Sequence, residues 1–144
     1  MKKTILFCTA LVLFYSCKKI SQLLTFDISD SQTIQIPPSS PVNAPVISPV
    51  PVSTNSQQTF QNNHTTASLV KNVSLQKLTL TVTSPSSGNF DFVKTIKIYI
   101  GTSTSDSVLL ATKDNIPTGV SSIELTPSNV QLDKYIKGSN YTLY

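Results

Sequence analysis

The chain has few of the residues on which many kinds of functional site depend. Its two cysteines, Cys8 and Cys17, both fall in the first seventeen positions, so residues 18–144 have no thiol for a disulfide, a thiolate metal site or redox chemistry. There is no arginine, and the lysines form no cluster of the kind that nucleic-acid-binding proteins present on one face. The four glycines are too widely spaced for a phosphate-binding loop. The composition therefore gives no support to nucleic-acid or nucleotide binding.

Long hydrophobic segments are also missing. The main apolar run, from Ile5 to Tyr15, has eleven residues, whereas a helix that crosses a bilayer needs about 20. Lys2-Lys3 precedes the run and Ser16-Cys17 follows it, an arrangement typical of an export signal that is cut away. We expect residues 1–16 to be a signal peptide. An ordinary secretory peptide is the alternative, but it needs a small residue three positions before the cut, where this chain has Phe14.

The sequence Phe14-Tyr15-Ser16-Cys17 resembles the site that signal peptidase II cleaves in bacterial lipoproteins. The resemblance implies that Cys17 becomes the acylated first residue of the mature chain and attaches it to a membrane. A single myristoyl chain gives only marginal binding, about 10⁴ M⁻¹, and each buried CH₂ adds about 0.8 kcal/mol. The diacylglyceryl and amide-linked chains of this family would therefore hold the protein without any further membrane-binding surface.

The residues after Cys17 carry information on location through the same resemblance. Lys18 stands where an Asp retains many lipoproteins at the inner membrane, which favours the outer membrane. Lys18 and Lys19 also differ from the acidic residues that direct some lipoproteins to the cell surface, which favours a periplasm-facing position.

Without residues 1–16 the chain has 128 residues, enough for one domain, and its nine lysines against seven acidic residues give a net charge of +2. We expect residues 17–24 to be a short lipid-anchored tether and residues 25–144 to form the domain.

Short runs of alternating apolar and polar residues recur along this domain and predict half-buried strands. The clearest run is Gln76–Thr83, in which Leu78, Leu80 and Val82 share one face. The other predicted strands are Thr25–Ser29, Thr33–Ile36, Thr95–Gly101, Ser107–Lys113, Ser121–Thr126 and Asn140–Tyr144. No βαβ rhythm is present, so the strands are expected to be antiparallel.

The remaining segments are assigned from proline content and capping signals. Six of the nine prolines lie in Pro37–Pro51, and the interleaved valines favour an extended edge segment over a flexible linker. Residues 53–66 are polar and predict a loop, and Ala67–Val73 predicts a helical turn. Ser128-Asn129-Val130-Gln131 matches a capping box and predicts the start of a short helix that Gly138 ends. Leu132, Tyr135 and Ile136 fall at helical spacing within it.

About eight short strands with one or two helical turns predict an all-β, antiparallel immunoglobulin-like β-sandwich. The strand rhythm from Leu75 to Tyr144 resembles that of small, uncharacterised immunoglobulin-like envelope lipoproteins. Such domains normally continue beyond a strand like Asn140–Tyr144, so the resemblance implies a C-terminally truncated chain whose final strand is an unpaired edge.

Few residues offer catalytic or metal-binding chemistry. His64, the only histidine, lies among hydroxyls that would admit a Ser-His-Asp arrangement, but no Gly-x-Ser-x-Gly motif accompanies it. Asp106 and Asp114-Asn115 could offer oxygen ligands to calcium across a hairpin, although their spacing does not match a calcium-binding loop. We therefore expect no catalytic residue, no metal and no cofactor.

Three functions follow from these observations. The leading hypothesis is a lipid-anchored, non-enzymatic cell-envelope protein whose β domain binds or scaffolds an envelope protein or glycan. The second is an adhesin or fimbria-like subunit that assembles by strand addition at an open edge. The third is a hydrolase that uses His64.

Overall fold

The computed structural model describes residues 25–36 and 49–144. Cys17, the predicted signal peptide and the predicted tether lie outside the described residues, as does most of the proline-rich stretch. The described strands are β1 (Val50–Ser53), β2 (Leu78–Thr81), β3 (Thr95–Gly101), β4 (Val108–Asp114), β5 (Ser122–Pro127) and β6 (Asn140–Leu143). The helices are α1 (Ser56–Asn62) and α2 (Asp133–Ile136), with a 3-10 turn at Thr104–Asp106.

The six described strands form one curled antiparallel sheet in the order β1-β6-β3-β4-β5-β2. The prediction of an antiparallel, mostly β fold with short helices is confirmed. The described residues contribute a single, half-barrel-like sheet, and the second sheet of an immunoglobulin-like sandwich is not among them. The curl allows one sheet to enclose a core that a sandwich would build between two.

The position of β6 differs from the sequence prediction. The final strand was expected to be an unpaired edge, but it lies between β1 and β3. Val52 pairs with Tyr141 on one side, and Leu143 pairs with Ile100 on the other. Tyr144 also exchanges two backbone hydrogen bonds with Tyr99, at 2.8 and 2.9 Å. The predicted C-terminal edge is therefore wrong, and the edges of the described sheet are β1 and β2.

The two strands predicted in the N-terminal segment, residues 25–36, do not form. Their alternation still predicts burial correctly at the start, because Phe26 and Ile28 are half-buried while Asp27 is exposed. Farther on, Ile34 and Ile36 are 40% and 51% exposed. Alternation selects a buried face, but a strand also needs a neighbour for its backbone hydrogen bonds.

Helix α1 replaces the loop predicted over residues 53–66. Ser56 and Phe60 lie one helical turn apart, and both are buried to 1% exposure. The seven residues of α1 include one large apolar side chain, Phe60, so their sequence shows almost no helical periodicity. The predicted turn at Ala67–Val73 is present as a hydrogen-bonded turn, in which Leu69 and Val70 donate to the Thr66 carbonyl.

A β-bulge explains why the predicted capping box is wrong. Ile98 pairs with Ala111 and Tyr99 with Leu109, so Leu110 is an extra residue in β4 and is buried next to Ala111. The Ser128 hydroxyl donates to the carbonyl of Leu110 at 3.1 Å and to that of Leu109, instead of capping a helix. Helix α2 begins later, after Leu132, without a side-chain cap.

The core consists of two adjoining clusters of buried side chains. One contains Phe90, Ala111, Ile123 and Leu125, and the other contains Ile100, Leu110, Leu132 and Tyr135. Leu75, Leu78 and Ile98 pack against both clusters, so the core is continuous along the sheet.

Candidate functional sites

The N-terminal segment packs against helix α1 through one aromatic pair. The Phe26 ring meets the Phe60 ring edge-on, with 6.0 Å between centroids and 73° between planes. Phe60 is 1% exposed, so its surroundings are closed and its position is fixed by packing. Edge-to-face pairs of this kind add about 0.5–1.5 kcal/mol beyond the area that they bury. The segment is therefore held on the domain at Phe26.

A small cavity lies beside this contact. It has a volume of about 20 Å³, enough for one water molecule. Its lining comes from the N-terminal segment, the chain between β1 and α1, helix α2 and strand β6, namely Ile28, Ser29, Asp30, Thr54, Asn55, Ser56, Ile136 and Tyr141. Burial raises the pKa of Tyr141, and the negative charge of Asp30 raises that pKa further. These contacts place the segment against the end of the sheet where β1 ends and β6 begins.

That end of the domain is fastened by side-chain hydrogen bonds from β1 and α1. The Thr54 hydroxyl donates to the Gly138 carbonyl at 2.8 Å, and the Gln57 amide donates to the Lys137 carbonyl at 3.3 Å. The surface on which Phe26 packs is therefore held together by hydrogen bonds between residues 54–57 and residues 137–138, which are far apart in the sequence.

The β3–β4 hairpin is fastened to helix α2 at the same end of the sheet. The Lys134 ammonium group bonds to the Asp106 carboxylate, which also accepts from the Thr102 hydroxyl at 2.5 Å. These hydrogen bonds, led by that from Lys134, lower the pKa of Asp106 to about 2, and the Asp106 carboxylate raises the pKa of Lys134. The Tyr135 hydroxyl donates to the Asp106 backbone carbonyl at 2.8 Å. Every partner here belongs to the domain, so the cluster holds a hairpin in place.

The opposite end of the sheet carries two loops that are tied together. The Gly119 amide donates to the Asp91 carboxylate at 2.6 Å, and the Phe90 amide donates to the Val120 carbonyl at 2.9 Å. Phe92 stacks on Phe90 with 6.4 Å between ring centroids, and it is 64% exposed. The tied loops therefore present an aromatic ring to solvent.

The residues considered for chemistry are not brought together. His64 lies exposed just after α1 with a positive φ of 52°, and its side chain makes no hydrogen bond in the described part of the chain. Asp106 lies just before β4 and Asp114 is its last residue, so the strand of seven residues, about 20 Å long, separates them. No group of three metal-ligating side chains occurs in residues 25–36 and 49–144. The expectation about Cys17 stays a prediction.

Comparison of the chain with protein-family models, curated proteins and solved structures finds no match. Within the two described ranges, no helix has the length and apolar character that a bilayer crossing requires.

Proposed function

We propose that the protein is a lipid-anchored, non-enzymatic component of the bacterial cell envelope, whose β domain binds or scaffolds an envelope protein or a glycan. The observation that carries this proposal is the cysteine at the end of a short apolar run, in Phe14-Tyr15-Ser16-Cys17. Lys18 favours attachment to the outer membrane on its periplasmic side. The acyl groups on Cys17 supply the membrane affinity, so the domain needs no apolar surface of its own.

The domain suits a binding role because its sheet fixes the loops at both ends. Loops carried by a rigid scaffold are the usual place for recognition residues. The exposed ring of Phe92 lies on such a loop, and the Asp91–Gly119 hydrogen bond holds that loop against its neighbour. Anchoring keeps these loops at a high concentration near other envelope components.

Metabolic labelling with a fatty-acid analogue tests the anchor. Labelling should occur in the wild-type protein and in Cys8→Ala, whose substitution lies within the predicted signal peptide, and should be lost in Cys17→Ala. Label retained in Cys17→Ala, or absent from all three proteins, would show that the anchor is assigned wrongly.

Assembly by strand addition is a second candidate, and the edge strand β2 favours it. Val82 donates to the Ser121 carbonyl at 2.8 Å, which sets the alternation so that the N–H and C=O groups of Thr79 and Thr81 point away from β5. Within the described part of the chain these outward groups have no backbone partner. At the other edge, Pro51 occupies an outward position of β1 and has no N–H to offer.

Sedimentation of the anchor-free protein tests this second candidate. Concentration-dependent association that Thr79→Pro abolishes would support it, because this substitution removes an outward N–H without removing a bond to β5. A wild-type protein that stays monomeric at high concentration would count against it.

A further inference from the structure

The end of the N-terminal segment, Thr33–Ile36, has the alternation of a strand but not the pairing of one. These four residues make no hydrogen bond in the described part of the chain. Ile34 and Ile36 are 40% and 51% exposed. The contacts that hold the segment on its own domain, at Phe26 and at residues 28–30, come earlier in the sequence. Thr33–Ile36 can therefore pair with another strand while the rest of the segment stays in place.

Strand β2 has an open edge that nothing in its sequence protects. The N–H and C=O groups of Thr79 and Thr81 point away from β5. Charged residues and proline are the usual means of protecting such an edge, and Leu78–Thr81 contains neither. Strand β1, by contrast, carries Pro51 at the other edge of the described sheet. A further strand therefore fits at β2 better than at β1.

The core-facing side of β2 is also incompletely covered. Leu78, Leu80 and Val82 pack against the core, yet each of them is only half-buried. A strand added beside β2 would place its alternate side chains next to these three residues. Ile34 and Ile36 have the required spacing and apolar character, and the polar residues that alternate with them would then face solvent, as the threonines of β2 do. The two unpaired stretches are therefore complementary in backbone and in side chains.

We propose that Thr33–Ile36 of one copy of this protein adds as a strand to β2 of a second copy. This inference rests on the strand-addition candidate described above and names its donor. Donor and acceptor are different surfaces, so each copy can give one strand and receive another, and the contact is head-to-tail. Four residues are near the lower limit for a strand. We therefore expect association at about 1 mM, the range of effective concentration that tethering supplies.

Sedimentation of the anchor-free protein, residues 18–144, measures this association. Ile34→Asp places a charge on the apolar face of the donor, and Gln35→Asp places the same charge on its other face as a matched control. Both positions are exposed, so neither substitution should disturb the fold. Ile34→Asp should weaken association by at least about ten-fold, since burial of one isoleucine side chain is worth that much in Kd. Gln35→Asp should associate as the wild type does.

A mixture of two variants tests the head-to-tail arrangement. Ile34→Asp retains the acceptor and Thr79→Pro retains the donor, so a mixture of the two should stop at a dimer with one copy of each. Pairing of β2 with β2 about a two-fold axis would instead let Ile34→Asp associate with itself, and this result would overturn the proposal.

Two other results would also overturn it, namely equal association of Ile34→Asp and Gln35→Asp, or a wild-type protein that is monomeric at about 1 mM. If the monomer protects the Thr79 and Thr81 amides from hydrogen exchange and Ile34→Asp removes that protection, the segment pairs within its own chain.

The same measurements separate the donor from strand addition itself. Association that Thr79→Pro abolishes and Ile34→Asp preserves would refute the donor alone and leave strand addition standing. The comparison of Ile34→Asp with Gln35→Asp does not depend on whether Thr79→Pro folds. Failure of fatty-acid labelling would refute only the anchor, because the sedimenting protein lacks it.

Discussion

Replacement of Phe60 by alanine tests whether residues 53–66 contain a packed helix or a polar loop. Phe60 is 1% exposed and contacts Phe26, so the substitution leaves a cavity under α1 and removes an aromatic pair. Phenylalanine-to-alanine changes in cores cost about 3–5 kcal/mol, a large part of the 5–15 kcal/mol that holds a typical domain together. At about 4 °C per kcal/mol for a chain of this size, Tm should fall by roughly 12–20 °C.

Equilibrium unfolding in urea measures this loss, with Phe92→Ala as the control. Phe92 has the same side chain at 64% exposure, so its replacement should change stability by less than about 0.5 kcal/mol. The denaturant dependence should stay the same in both variants, which would show that the folded states bury similar surface. If Phe60→Ala lost no more stability than Phe92→Ala, helix α1 would not be packed on the domain.

Three further outcomes follow from single contacts. The pKa of Asp106 is about 2, below its ordinary 3.8, so the Asp106 carboxylate stabilises the fold above pH 4 and this contribution is lost as the pH falls toward 2. The loss of stability caused by Asp106→Asn, measured by unfolding in urea, should therefore become smaller over that pH range. Gly88→Ala should lower Tm more than Gly119→Ala, because a Cβ at Gly88 would lie 2.7 Å from a valine methyl group, whereas Gly119 has open space and only a φ of +74°. Ser128→Ala should cost about 1 kcal/mol in urea, and Gln131→Ala less than about 0.5, whereas a true capping box would make the two losses similar.

Local alternation predicted the strands where the apolar residues are regular. Ile96, Ile98 and Ile100 place β3 at its observed limits, Thr95–Gly101, because three β-branched residues on one face leave little ambiguity. Helix α1 escaped prediction because a single phenylalanine among polar residues produces neither a helical nor a strand period.

Long-range contacts account for the other differences. The sequence of β6 predicts a strand but contains no signal that β1 and β3 enclose it, since strand order depends on pairing between distant segments. Ser128 satisfies a capping pattern, yet the bulge at Leu110 offers its hydroxyl two carbonyl oxygens. A short sequence motif indicates which hydrogen bonds a side chain is able to make, but the tertiary structure decides which acceptor lies within hydrogen-bonding distance.

The candidate site was predictable in one respect. The alternation around Phe26 gives its burial correctly, but Phe60 as its partner required the three-dimensional fold. The acyl attachment at Cys17 rests on sequence alone, and the labelling experiment decides it.

The pairing of β1 with β6 makes completion of the sheet depend on late synthesis. Val50 pairs with Leu143, which lies about 90 residues farther along the chain. At about 5–20 residues per second, the ribosome takes roughly 5–20 s to synthesise those residues. During that interval β1 lacks the neighbour that it has in the finished sheet, so this edge of the domain forms only after β6 has been synthesised. The export that we propose from residues 1–16 would benefit from this order of events, because a secretion channel admits a chain that has not yet folded.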